Sequence, residues 1–127
     1  MTKSVKEIGD RLVALCKADD ARTCLDELYD PAAVSVEPMA MPGAGSASLT
    51  GLDAIKGKHD WWENTFEIHD FEVEGPFPHG DDKFAVIFRI DATNTETGER
   101  DNSKEVGVYH VTDGKIVREE FFYSMGG

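Results

Sequence analysis

The 127-residue chain has few cysteines, few basic side chains and no long apolar run. Its two cysteines, Cys16 and Cys24, make no C-x-x-C pair and have no histidine at zinc spacing. Neither a disulfide scaffold nor a metal site is expected, and the stretches around both thiols read as helices. Thirteen Lys and Arg against 25 Asp and Glu give a formal net charge of −12. A surface so acidic repels phosphate backbones and anionic lipid, so nucleic acid and membranes are not expected partners. Nothing approaches the length of a membrane span, and "MTKSVKEIGD" lacks the apolar run of a secretory signal. A cytoplasmic protein with free thiols is expected. "PGAG" is not a phosphate loop, because it lacks the Lys-Ser/Thr pair and a strand-to-helix setting.

What is present fits one domain over residues 1–127, long enough to bury a core without staples. Val5, Ile8, Leu12 and Leu15 recur at helical spacing. Asp19 or Asp20 can cap a second helix carrying Ala21, Cys24, Leu25 and Leu28, which Pro31 ends. "AVSVEP" (33–38) reads as a short strand, and 39–50 as a loop that could act as a lid. "GLDAIKGKHDWWENTFEIHD" (51–70) reads as one helix, with Thr50 as its N-cap and Leu52, Ile55, Trp62 and Phe66 on one face. His59 falls in the middle of that face.

From residue 70 the pattern becomes strands: "FEVEGPF", "KFAVIFRIDATN" (83–94), "NSKEVGVYHV" and "KIVREEFFY". The Asp113-Gly114 pair predicts a tight hairpin between the last two. Helices first and a hairpin-connected sheet afterwards make an α+β chain.

"LYDPAAVSVEP", the "GLDAI" helix start and "GVYHVTDGKIVREEFFY" resemble the nuclear transport factor 2-like superfamily, in its SnoaL-like and ketosteroid-isomerase-like branch. The resemblance covers nearly the whole chain. It implies a cone-shaped, curved antiparallel sheet wrapped around three helices, with a mostly apolar pocket between them. It also implies frequent homodimers through the outer sheet face, and no cofactor. Members include isomerases, cyclases, dehydratases, epoxide hydrolases and proteins without catalysis, so the fold does not settle the activity.

The resemblance also names candidate residues. Glu37, before Pro38, matches the general base of the isomerases, whose pKa an apolar setting brings toward working pH. The oxyanion donors of those enzymes match Leu12 and Gly107, which cannot donate from a side chain, so steroid isomerisation of that type is not expected. The Arg-x-Asp of the epoxide hydrolases matches Arg89 and Asp91, but the second aspartate of that triad falls on Phe121. The two comparisons also disagree in register, one pointing Phe88 and Ile90 inward, the other Arg89 and Asp91.

Both comparisons place Glu105, Gly107 and Tyr109, and Glu119, Phe121 and Tyr123, on the inner face of the last hairpin. Gly107 would leave room there for a ligand or a helix. Trp62 and Phe66 would line the wall beside His59. The resulting expectation is proton transfer on a small, largely apolar molecule. Glu37 or Glu119 would be the base, His59 its acid–base partner, and Tyr109 or Tyr123 a hydrogen-bond donor. The alternative is a noncatalytic binding or dimerisation module of the same fold, which the missing donors favour.

Overall fold

The computed structural model describes residues 3–38 and 47–123. The elements are α1 (Val5–Lys17), α2 (Ala21–Leu28), β1 (Tyr29–Val36), β2 (Ser48–Thr50), α3 (Leu52–Thr65), β3 (Phe66–His79), β4 (Lys83–Asn94), β5 (Arg100–Thr112) and β6 (Lys115–Phe122).

Helix α1 begins in a capping box. The Ser4 hydroxyl accepts the Glu7 N–H at 3.1 Å, and the Glu7 carboxylate accepts the Ser4 N–H at 3.2 Å. Asp20, not Asp19, caps α2 by accepting the Thr23 N–H at 3.2 Å. Asp19 takes the left-handed turn between the helices, at φ 57°. Ile8, Leu12, Leu28, Ile55, Phe84, Val86 and Ile116 are at most 1% exposed. Each such burial stabilises the fold by about 1.5–3 kcal/mol.

The sheet runs β2-β1-β6-β5-β4-β3, curved and unclosed. Its pairings are antiparallel except β1 with β6, which lie parallel. Register shifts in β3 after Ile68 and after Glu74 let that strand bend over α1. There the Gly9 backbone lies so close to Pro76 that a Cβ on Gly9 would sit 2.7 Å from the proline ring. The predicted Asp113-Gly114 turn is present, with both residues at positive φ (50° and 75°), and it joins β5 and β6 as neighbours.

Burial settles the open question on β4. Phe84, Val86, Phe88, Ile90 and Ala92 face the helices. Arg89 lies outside, 3.9 Å from Glu72 and 3.8 Å from Glu74, and Asp91 is bonded twice by Arg100 at 2.9 Å. A hydrolase-type role for Arg89 and Asp91 within the cone is therefore excluded by the register.

Two expectations for 51–70 are corrected. Helix α3 ends at Thr65, and Phe66 already belongs to β3. The apolar stripe misled because Phe66 stacks on Trp62, with ring centroids 5.2 Å apart, after the backbone has become extended. Thr50 is not the cap either. It closes β2, and Gly51 precedes the helix at φ 100° with no side-chain cap. Strand β2 was not expected in the 39–50 loop. Residues 39–46, most of the suggested lid, lie outside the described residues.

Candidate functional site

The inner face gathers its polar groups through strand alternation. On β1 and the residue after it, Ala33, Ser35 and Glu37 share one side, and the parallel register sets Ser35 opposite Glu119 of β6. On β6, Glu119, Phe121 and Tyr123 point the same way. Antiparallel pairing puts Tyr109 opposite Glu119 and Gly107 opposite Phe121. The next pairing puts Glu105 opposite Phe88, so Glu105 also faces inward.

The centre of the cluster is Lys58 of α3, which the sequence reading did not single out. Its side chain is 8% exposed, and its ammonium donates to Glu37 Oε1 at 2.9 Å, to Glu119 Oε2 at 3.3 Å and to the Ser35 hydroxyl oxygen. It also stands 4.8 Å from the centroid of the Phe121 ring. Glu119 is 1% exposed and accepts further hydrogen bonds from Ser35 Oγ at 2.6 Å and from the Tyr29 hydroxyl. Glu37 accepts from the Tyr123 hydroxyl at 3.2 Å. These bonds use the three ammonium protons and all three hydroxyl protons of the network. A charge so deeply buried is tolerable only with such partners.

Two polar groups on this face remain uncommitted. Glu105, half-buried, has neither an ion-pair nor a hydrogen-bond partner among the described residues. Burial, and then the charge of Glu37, push its carboxyl from 4.5 up to about 7. Tyr109, 3% exposed, likewise has no hydrogen-bond partner among the described residues. No fully sealed side-chain polar atom among those residues lacks a partner, so the Tyr109 hydroxyl is not fully sealed. Its ring stacks on Phe84 at 5.1 Å and meets Phe121 edge-on at 6.2 Å. Ring and hydroxyl fold over Gly107, where a Cβ would lie 3.0–3.1 Å from Tyr109 and Phe121. The room expected at Gly107 for a ligand or helix is thus filled by Tyr109 and Phe121.

His59 lies beside this network rather than in it. It makes no hydrogen bond to Glu37 or Glu119, the place of their partner being taken by Lys58 one residue earlier. Burial lowers the imidazole pKa, opposed mainly by the charge of Glu119. Trp62 and Phe66 pack against the core beside it, and Trp61 meets Phe66 edge-on at 5.9 Å. Burial raises the Tyr29, Tyr109 and Tyr123 hydroxyls, Glu119 adding to the first two and Glu37 to the third. Cys16 is pushed up to about 11 and Cys24 higher still, both mainly by burial, so neither thiol is a nucleophile near neutral pH.

Toward the β3 edge the inner face stays open. Ile68 and Phe71, cross-strand from Ala92 and Ile90, are 40% and 39% exposed, and Phe71 stacks on Phe88 at 6.0 Å. A separate groove of about 520 Å³ runs between the start of α1 and the β3–β4 and β5–β6 turns, and shares no residue with the cluster. Among the described residues no group of His, Cys, Asp and Glu is arranged to hold a metal ion, and no helix is long and apolar enough to cross a membrane.

A model of the SnoaL-like domain matches residues 3–123. The chain belongs to the SnoaL-like family. A candidate SnoaL-like polyketide cyclase from Mesorhizobium loti is 36% identical, over 95% of this chain and 100% of that one, with a TM-score of 0.88. Two more distant structures share the SnoaL-like fold. A candidate isomerase from Bacillus subtilis is 21% identical, covering 94% of this chain and 86% of its own, at a TM-score of 0.73. A Mycobacterium tuberculosis protein solved with estradiol-17β-hemisuccinate is 17% identical, covering 97% and 96%, also at 0.73. No curated protein matches the sequence.

The signals for the missed residues were partly readable. Ser35 alternates with Ala33 and Glu37 in "AVSVEP", which sets all three on one face. Lys58 lies three residues after the buried Ile55 and four before Trp62, so it flanks the apolar stripe as His59 does. Lysines are so rarely buried that its position alone gave no warning.

Proposed function

We propose that this SnoaL-like protein catalyses proton transfer on a small, largely apolar metabolite held on the concave face of the sheet. The observation that carries the reading is Glu105, an inward-facing carboxyl without a counter-ion, poised at about 7. A group that gains and loses its proton near neutral pH suits both halves of an acid–base cycle. Tyr109, with its uncommitted hydroxyl, supplies a hydrogen-bond donor, and His59, kept neutral by burial, is a second proton carrier. Glu37 and Glu119 act as positioning residues that anchor Lys58, because their oxygens already hold its ammonium. Trp62, Phe66, Phe121 and Tyr123 supply the walls.

The test is solvent deuterium uptake by a panel of apolar cyclic ketones and enones, followed by proton NMR. Exchange next to the carbonyl with wild type, lost in Glu105→Gln, supports the reading. A panel that wild type leaves untouched, while still binding its members, leaves the noncatalytic binding module. That second reading is favoured by the closed hydrogen-bond network around Lys58, which leaves it no proton to offer a substrate.

The same proposal includes a homodimer through the convex face and a cytoplasmic setting. Ile87, Val106 and Phe122 lie side by side across β4, β5 and β6, pointing outward, and Phe122 is 50% exposed. Phe122→Asp should convert a sedimenting dimer to monomer. Unchanged sedimentation would place the interface elsewhere.

A further inference from the structure

We infer that the ligand of the concave face carries a positive charge, most simply an ammonium on an apolar body. The inference rests on that face being a ligand site, not on proton transfer taking place there. Glu37 and Glu119 share the one cation of the face, Glu105 stands beside them without a counter-ion among the described residues, and the ammonium of Lys58 has no proton left to donate. The hydroxyls of Tyr29, Ser35 and Tyr123 are equally spent on Glu119 and Glu37. What the face still offers is both oxygens of Glu105 and the Tyr109 hydroxyl, which accepts as well as donates. The Tyr109 hydroxyl is nearly buried and has no partner among the described residues, so it is free to bond a ligand atom.

An anionic head group would meet carboxylates with no free ammonium to receive it. A neutral head group would leave the ionised form of Glu105 without a counter-ion. An ammonium satisfies Glu105 by a charge-assisted bond, and Tyr109, on the same face of β5, offers a further polar atom. The surroundings suit the rest of such a molecule. Phe71 and Ile68, 39% and 40% exposed, offer an open apolar shelf toward the sheet edge. The neutral imidazole of His59 can accept or donate, so it does not reverse the preference. The net charge of −12 draws cations toward the protein from solution.

The experiment compares 4-phenylbutylamine, 4-phenylbutanol and 4-phenylbutanoate, titrated at pH 7.5 and followed by the fluorescence of Trp61 and Trp62. Salt near 0.5 M screens attraction to the general acidic surface. The amine should bind at least about tenfold more tightly than the alcohol, and the carboxylate most weakly. Glu105→Gln should remove the advantage of the amine. Tyr109→Phe should weaken amine and alcohol alike while leaving the fold intact, because that hydroxyl has no partner to lose. The inference is overturned if the carboxylate or alcohol matches the amine, if the preference survives Glu105→Gln, or if none of the three binds at millimolar concentration. Amine binding without any deuterium exchange would overturn the catalytic reading alone, and exchange on neutral ketones with no amine preference would overturn this inference alone.

Discussion

Replacing Glu105 by glutamine probes the concave face through stability alone. On folding, the Glu105 carboxyl moves from 4.5 to about 7, chiefly because it is buried and next because Glu37 is close. A folded-state value above the unfolded one means that the native protein holds the proton more tightly. The stability this provides is complete below about pH 4.5 and is lost as pH rises through about 7. At 1.36 kcal/mol per pKa unit, the move is worth roughly 3 kcal/mol. Water reaching the half-buried side chain screens part of this and leaves about 2 kcal/mol. Glutamine keeps the shape and never ionises. Urea unfolding of both proteins at pH 5 and pH 8 isolates the effect, since the other titrating groups are common to both. Between those two pH values the variant should gain about 2 kcal/mol on wild type, or roughly 6–8 °C in Tm for a chain of this size. If the two proteins show the same pH dependence within about 0.5 kcal/mol, Glu105 is not the desolvated acid described above, and the proposed proton carrier goes with it.

Lys58→Met leaves Glu119 and Glu37 without their shared cation and should cost about 3–5 kcal/mol in thermal or urea unfolding. A loss below about 1 kcal/mol would show that the ammonium is not what holds those carboxylates. Gly9→Ala should destabilise by about 1–3 kcal/mol, because its Cβ would press on Pro76 at 2.7 Å. Gly57→Ala, in α3 with nothing within 4 Å, should instead stabilise by up to about 1 kcal/mol through helix propensity alone. Equal shifts for the two glycines would mean that α1 does not rest on β3 as described. The His59 resonances should titrate below the usual 6.5, so its neutral form favours folding above pH 6.5 and that contribution is lost as pH falls from 6.5 through the folded-state midpoint. An NMR midpoint at or above 6.5 would place the ring in water.

Much of the architecture could be read from local chemistry. Residues 83–94 alternate so regularly that β4 takes the span read from sequence, and Asp113-Gly114 can hardly be anything but a turn. Period two also set which residues of β5 and β6 share a face, and the family resemblance pointed that face inward. The boundary of α3 did not, because Phe66 keeps its contact with Trp62 across the change from helix to strand, and periodicity records the contact rather than the backbone. β2 is three residues long, too short to show a pattern. At the site, Glu37, Glu105, Glu119, Tyr109, Phe121 and Tyr123 were placed on one face from sequence. Which base meets which acid was not legible, since it depends on how α3 lies across β1 and β6. That packing brings Lys58, not its neighbour His59, to the carboxylates.

The parallel pairing of β1 with β6 has a consequence for how the molecule holds together. The bonds that meet at Glu119 and Glu37 join residues 90, 84, 86 and 61 positions apart, from Tyr29, Ser35, Tyr123 and Lys58. The cluster is a clasp between the first third of the chain and its last strand, closed only when both ends have arrived. A molecule bound beside that clasp does not tighten one loop; it holds shut a closure between residues up to 90 positions apart. Its binding energy should therefore appear in the unfolding of the whole domain, and a rise in global Tm becomes a direct screen for the proposed ligand of the concave face.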